Sequence, residues 1–131
     1  MKGSSASALA ALLLLAACGS SEENAAAQPA ADAPTLQASV GTKESPDAFE
    51  IALLDENGNP VTELPAGKYN IEVTDETSVH DFHLSGGNGA VDERTVVTEK
   101  MHTTWVVTFK PGEYRYMCDP HPSMNGQFTV T

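Results

Sequence analysis

Cys118, His121 and Met124 bring a thiol, an imidazole and a thioether into one short stretch near the end of the chain, with two residues between each and the next. Pro120 and Pro122 flank the imidazole. Proline fixes φ and removes a backbone donor, so the stretch is a poor helix and a stiff loop. A stiff loop can aim three side chains at one point. Soft sulfur donors with imidazole suit copper, and one Cys, two His and a long, weak Met make the donor set of a copper electron-transfer site. Zinc takes Cys and His with tetrahedral closure and has no use for the thioether, which makes a structural zinc domain the poorer reading.

The set needs a second imidazole, and the chain has His80, His83 and His102 to offer. Val79 to Leu84 reads as a strand, and side chains two apart on a strand share a face. His80 then shares its face with Phe82 and Leu84, which belong inside. Asp81 and His83 fall on the opposite, wet face. His102, before the Trp105 strand, reads as a solvated strand-end residue. A buried lone His is often only a satisfied core group, but a thiol, an imidazole and a thioether that need a partner point to His80 as the fourth ligand.

The elements that must position these residues are short strands. No long segment with a period of 3.6 residues appears, whereas alternating runs recur between turn signals. Leu36 to Val40, Phe49 to Leu53, Tyr69 to Val73, Val79 to Leu84, Thr95 to Thr98, Trp105 to Phe109, Tyr114 to Cys118 and a last run holding Phe128 and Val130 are the candidates. Asp55 to Pro60, Pro65 to Gly67, Gly86 to Gly89 and Lys110 to Glu113 supply the turns. Seven to eight such strands predict an all-β Greek-key sandwich. The alternation points Phe49, Ile51, Ile71, Phe82, Leu84, Phe109 and Phe128 inward, with Trp105 as the largest core anchor.

The first 34 residues do not fit that pattern. Lys2 precedes an apolar run from Ala8 to Ala17, too short to span a bilayer. Small residues follow, which reads as an export signal over residues 1–17. Leu15-Ala16-Ala17-Cys18 resembles the bacterial lipoprotein cleavage box, a likeness that implies a lipid on the Cys18 sulfur. Residues 18–34 are poor in large apolar groups and read as a disordered tether, leaving residues 35–131 as one folded domain. With Cys18 lipidated, Cys118 has no partner for a disulfide. A lone thiol in an exported protein calls for a ligand role or an intermolecular bridge. The chain carries 18 acidic against 7 basic residues and a formal net charge of −11. That excess argues against nucleic acid, and against anionic lipid beyond the anchor. It favours a basic partner steered by charge.

Two motifs together resemble the cupredoxins, the small blue-copper proteins of the plastocyanin and azurin kind. One is His80-Asp81-Phe82-His83-Leu84. The other is Tyr116-x-Cys118-x-Pro120-His121-x-x-Met124, whose short spacing is most like that of the amicyanins. The resemblance covers Leu36 to Thr131. It implies a type 1 copper ion cycling between Cu(I) and Cu(II), bound by His80 Nδ1, Cys118 Sγ and His121 Nδ1, with Met124 as the long axial ligand. It also implies that His121 lies nearest solvent and that Pro120 and Pro122 border a docking patch.

Two positions depart from the family. Asp81 stands where Asn is usual after the first His, and Asp119 where Ser or Thr is usual after the Cys. Groups behind the ligands orient them and tune the metal. If the two carboxylates are close, either one proton is shared between them or a cation compensates. The resulting expectation is an exported, lipid-anchored, monomeric electron carrier in the bacterial envelope, not an enzyme. It would serve redox partners such as a c-type cytochrome or a membrane oxidase. The alternative is a periplasmic or cell-surface protein for copper storage or delivery.

Overall fold

The computed structural model describes residues 28–131. The export signal, Cys18 and the first part of the tether lie outside the described residues. Within them the chain forms nine strands and no helix: β1 (Thr35–Val40), β2 (Ile51–Leu54), β3 (Glu63–Leu64), β4 (Gly67–Asp75), β5 (His83–Gly86), β6 (Val91–Arg94), β7 (Met101–Phe109), β8 (Gly112–Met117) and β9 (Asn125–Val130). One sheet has the order β2-β1-β4-β7 and the other β3-β9-β8-β5-β6. Both are mixed, because β1 runs parallel to β4 and β3 parallel to β9.

Alternation decides what faces inward. On β1 and β4, Leu36 lies opposite Ile71 and Ala38 opposite Val73, and all four are buried. From the second sheet, Leu84, Tyr114, Tyr116, Phe128 and Val130 meet them, with Phe82 just before β5. Edge-to-face contacts of Phe109 with Tyr114 and Phe128 knit the aromatic part of this core, the arrangement ring quadrupoles favour.

The structure corrects the predicted strands at several points. The strand expected from Val79 begins only at His83, and the short strand expected at Thr95 is Val91–Arg94 instead. Phe49, expected inside, is 63% exposed, because β2 starts two residues later. Trp105 is only partly buried and packs against the core from its border. The ninth strand, β3, is two residues long and left no periodic trace to read. Residues 30–34, read as tether, are held to the body. The Asn70 side chain donates to the Ala30 carbonyl and accepts from the Ala30 amide, and the Asn70 amide donates to the Pro34 carbonyl.

Strands β8 and β9 form an antiparallel pair whose last rung toward the loop joins Met117 to Asn125. The segment 118–124 is therefore a hairpin connection with both ends fixed by the second sheet. One rung inside, Tyr116 faces Gly126 and stacks on Phe82 with the rings 5.5 Å apart. A methyl group on Gly126 would lie inside van der Waals contact of the Tyr116 ring. Gly126→Ala is expected to cost about 1–3 kcal/mol through this overpacking. Urea unfolding checks it: the midpoint falls while the slope stays unchanged.

Candidate metal centre

Cys118 follows directly on β8 and keeps its inward parity, so its thiol is fully buried. Three backbone hydrogen bonds then fold the loop: His121 N to Cys118 O, Met124 N to His121 O, and Cys118 N to Met124 O, at 3.2, 2.9 and 3.0 Å. The loop is closed on itself and brings the His121 ring to the Cys118 sulfur. Pro120 and Pro122 have no N–H to lose, so the two residues without donors sit where the loop asks for none.

His80 arrives from the segment between β4 and β5. Its ring is 1% exposed, and Nε2 lies 3.1 Å from the Asp47 carbonyl oxygen. A carbonyl only accepts, so Nε2 carries a proton here, and Nδ1 is the nitrogen turned to the other donors. That Nδ1 is 2.9 Å from His121 Nδ1, and Cys118 Sγ is 3.6 Å from each nitrogen. The centre of a triangle with these sides lies roughly 2 Å from every corner, close to metal–imidazole bonds of about 2.0–2.1 Å and somewhat inside metal–thiolate bonds of about 2.3 Å. The three predicted donors thus converge around a space that fits one metal ion. Met124, the predicted fourth donor, is buried and belongs to the core cluster.

Phe49 covers this group. Its ring meets His80 edge-on at 5.1 Å and His121 at 4.9 Å between centroids. His121 is partly exposed, the more open of the two imidazoles. The contributions of Phe49 and of the Asp47 carbonyl were missed in the sequence. The first was read as core, and a backbone carbonyl has no signature in residue type.

Asp81 is buried rather than wet, being 2% exposed. The period-two argument fails there because residues 78–82 are not strand. Its Oδ1 accepts the Asp119 amide at 2.7 Å and so ties the His80 segment to the residue after Cys118. Burial pushes the Asp81 carboxyl above its usual range, and the Asp119 charge adds to this against the hydrogen bond from the Asp119 amide.

Asp119 has cations to answer it. His83 Nδ1 lies 2.8 Å from its Oδ1, and Arg94 donates to its Oδ2 at 3.2 Å. His83 is also not a free wet side chain: its Nε2 meets Asp92 at 2.7 Å. Burial alone would raise Asp119, but the hydrogen bond and charge of His83, with help from Arg94, hold it below its ordinary value. Burial likewise disfavours charged His83, yet the carboxylates of Asp119 and Asp92 outweigh it and the imidazole is raised. Burial pushes the Cys118 thiol up, with the backbone at Asp81 and His121 pulling the other way. A metal bound here would have to displace that proton. His102 takes no part: it is exposed and pairs with Glu76 at 3.3 Å.

No family model matches the chain. Amicyanin-alpha of Methylorubrum extorquens is 31% identical over 72 residues, which cover 54% of this chain and 60% of that protein. Reduced rusticyanin superposes with a TM-score of 0.53 at 17% identity, over 74% of this chain and 78% of the other. Rusticyanin from Thiobacillus ferrooxidans gives 0.51 at 15% identity, over 74% and 76%.

The His83 cluster makes a pH-dependent contribution to stability. The imidazole is raised in the folded state, so its contribution is complete below the unfolded value of about 6.5 and is lost as pH rises through the folded value. The stability difference between the protein and His83→Gln is therefore expected to be larger at pH 5.5 than at pH 9. Urea unfolding of both at the two pH values measures it, and equal differences would rule the linkage out.

Proposed function

With the cupredoxin fold as premise, we propose that this chain is a type 1 copper protein that carries single electrons between redox partners. The observation that carries the reading is the triangle of His80 Nδ1, Cys118 Sγ and His121 Nδ1. A copper ion bound among them would take up and give back one electron. The thiolate and the Met124 thioether are soft donors that favour Cu(I), and the imidazoles serve both oxidation states. The chain's own part is to hold the donors still. His80 is fixed through Nε2 by Asp47 and through its neighbours by the sheets, while Cys118 and His121 are fixed by the closed hairpin.

The exposed edge lies at Phe49, His121, Pro120 and Pro122. Phe49 and the prolines are exposed and His121 partly so, which supports a small apolar contact suited to transient encounters. Asp47 and Glu50, both exposed, flank Phe49 in the chain. Together with the net charge of −11 they support a basic partner.

Addition of Cu(II) to the protein is expected to give an intense thiolate-to-copper absorption band and a narrow EPR hyperfine splitting. Both should vanish in Cys118→Ser. In Met124→Gln the band should persist while the reduction potential falls, because a hard amide oxygen favours Cu(II) over Cu(I). A pale solution with ordinary Cu(II) hyperfine splitting would overturn the reading.

The lipoprotein-like sequence at Cys18 supports attachment to the envelope by a lipid, with the domain on a short tether. The chain made in a bacterial host should enter the detergent phase on Triton partition, and Cys18→Ala should leave it. Equal partition of both would exclude the anchor.

A further inference from the structure

His80 lies on no strand, so no ladder of backbone hydrogen bonds holds it. It sits in the irregular segment between Asp75, the last residue of β4, and His83, the first of β5. Three buried polar side chains surround that segment. Asp75 and Thr77 are 0% exposed and Thr95, the residue after β6, is 2% exposed.

Their hydrogen bonds form one connected set. Asp75 Oδ1 accepts the Thr77 amide at 3.1 Å, and Thr77 Oγ1 accepts the Val79 amide at 3.0 Å. On the other side, Thr95 Oγ1 donates to Asp75 Oδ2 at 2.6 Å and accepts the Phe82 amide at 2.9 Å. The Thr95 amide also donates to the Phe82 carbonyl at 3.1 Å. The segment is thus gripped before His80, at residues 77–79, and after it, at Phe82. Because β4 and β6 belong to different sheets, the same bonds join the two layers at this end of the sandwich.

A buried carboxylate is expensive unless its hydrogen bonds are complete. These are complete: among the described residues no buried side-chain nitrogen or oxygen lacks a partner. A fully satisfied polar network in a low-dielectric interior rigidifies what it touches. A plain apolar core would fill the same space without the desolvation of Asp75, so the network calls for a reason. The segment that the network holds on both sides carries His80.

We propose that Asp75 and Thr95 are positioning residues that set His80 at the metal centre before any metal binds. The identity of the metal rests on the function proposed above; the clamp itself does not. Thr95 is the pivot. Its hydroxyl donates a hydrogen bond to Asp75 and accepts one from the Phe82 amide. Valine has the same shape and does neither, leaving the Phe82 amide and one Asp75 oxygen buried without partners. Serine keeps both bonds.

The test compares the intact chain with Thr95→Val, Thr95→Ser and a control, Val130→Ala. Val130 lies at the opposite end of β9 from the metal loop, so the control lowers stability without touching the clamp. Two readouts are taken: amide hydrogen exchange at Phe82 and Val79 in the metal-free protein, and the Cu(II) band position with its EPR hyperfine splitting. In Thr95→Val, exchange at Phe82 is expected to speed up about tenfold or more beyond the control, the scale of an unpaired buried donor. The Cu(II) band and splitting should shift, and Thr95→Ser should restore both readouts.

Loss of melting temperature alone, with exchange and spectrum matching the control, would reduce the clamp to a structural role and overturn the proposal. If the parent chain gives no intense band, the copper reading fails, and the exchange arm still decides the clamp. Should Thr95→Val not fold, Asp75→Asn is the milder change. It keeps an acceptor for the Thr77 amide and removes the acceptor that takes the Thr95 proton, so the same two readouts apply.

Discussion

Two imidazole nitrogens 2.9 Å apart, with a thiol sulfur 3.6 Å from both, are a costly thing for a chain to assemble from its own resources. In the metal-free protein these atoms can share at most a hydrogen atom or two. They give up water for it, since His80 and Cys118 are almost wholly buried. Nothing in that exchange favours the cluster strongly enough to build it. The surrounding structure must hold it, and much of this end of the sandwich can be read as the means. The hairpin β8–β9 fixes Cys118 and its loop, the carbonyl of Asp47 fixes the far side of His80, and buried polar side chains fix the backbone on either side of His80.

The consequence for the charges is a graded arrangement. Directly behind the donors, Asp81 is buried and spends its oxygen on the amide of Asp119. That one bond joins the two chain segments that supply His80 and Cys118, which lie far apart in sequence. One step further out, Asp119 meets His83 and Arg94, and His83 meets Asp92. Asp119 is thus answered by the exposed Arg94 and by the largely buried His83, whose imidazole is raised by its two carboxylate neighbours. Both ways in which neighbouring carboxylates can be tolerated bear on this pair: Asp81 is pushed toward its protonated form beside Asp119, and His83 and Arg94 stand against Asp119 from the other side.

The sequence made the donors legible because their types are unusual and their spacing is rigid. Cys118, His121 and Met124 are separated by residues that can do little but turn. His80 was separable from His83 by its apolar neighbours, although the reason given was only half right. His80, Asp81 and Phe82 are all buried, in consecutive order, because they leave the pleat that would have sent every second side chain outward. Asp81 was misplaced by that same assumption. Phe49 was misplaced by a strand taken to start two residues early, and it became a cover over the imidazoles instead of part of the core. The polar clamp had no trace at all: Asp75, Thr77 and Thr95 are ordinary residue types at unremarkable spacing, and only the crossing of the two sheets brings them together. Local pattern carries pairing and parity along a strand; it says little about segments whose shape is decided by what packs on them.

The exposed side of the centre follows the opposite logic from the buried side. His80 is held by a carbonyl, a loop and the body of the protein, whereas His121 is held by a hairpin loop and the edge of Phe49. On the proposed carrier reading, an electron would cross the thinnest layer of protein, the partly exposed imidazole with the aromatic ring beside it. A charged side chain there would bind water tightly and resist the approach of a partner. An aromatic ring and two prolines do not, and they lose little entropy when covered, since they have few rotamers to lose. Asp47 and Glu50 stand beside Phe49 rather than in its place, where, on the proposed reading, they would steer a basic surface without having to be dehydrated when it arrives. Rigid burial on one side and a small dry edge on the other are what fast exchange with little rearrangement asks of a scaffold. This sandwich meets both demands with one short loop and one irregular segment.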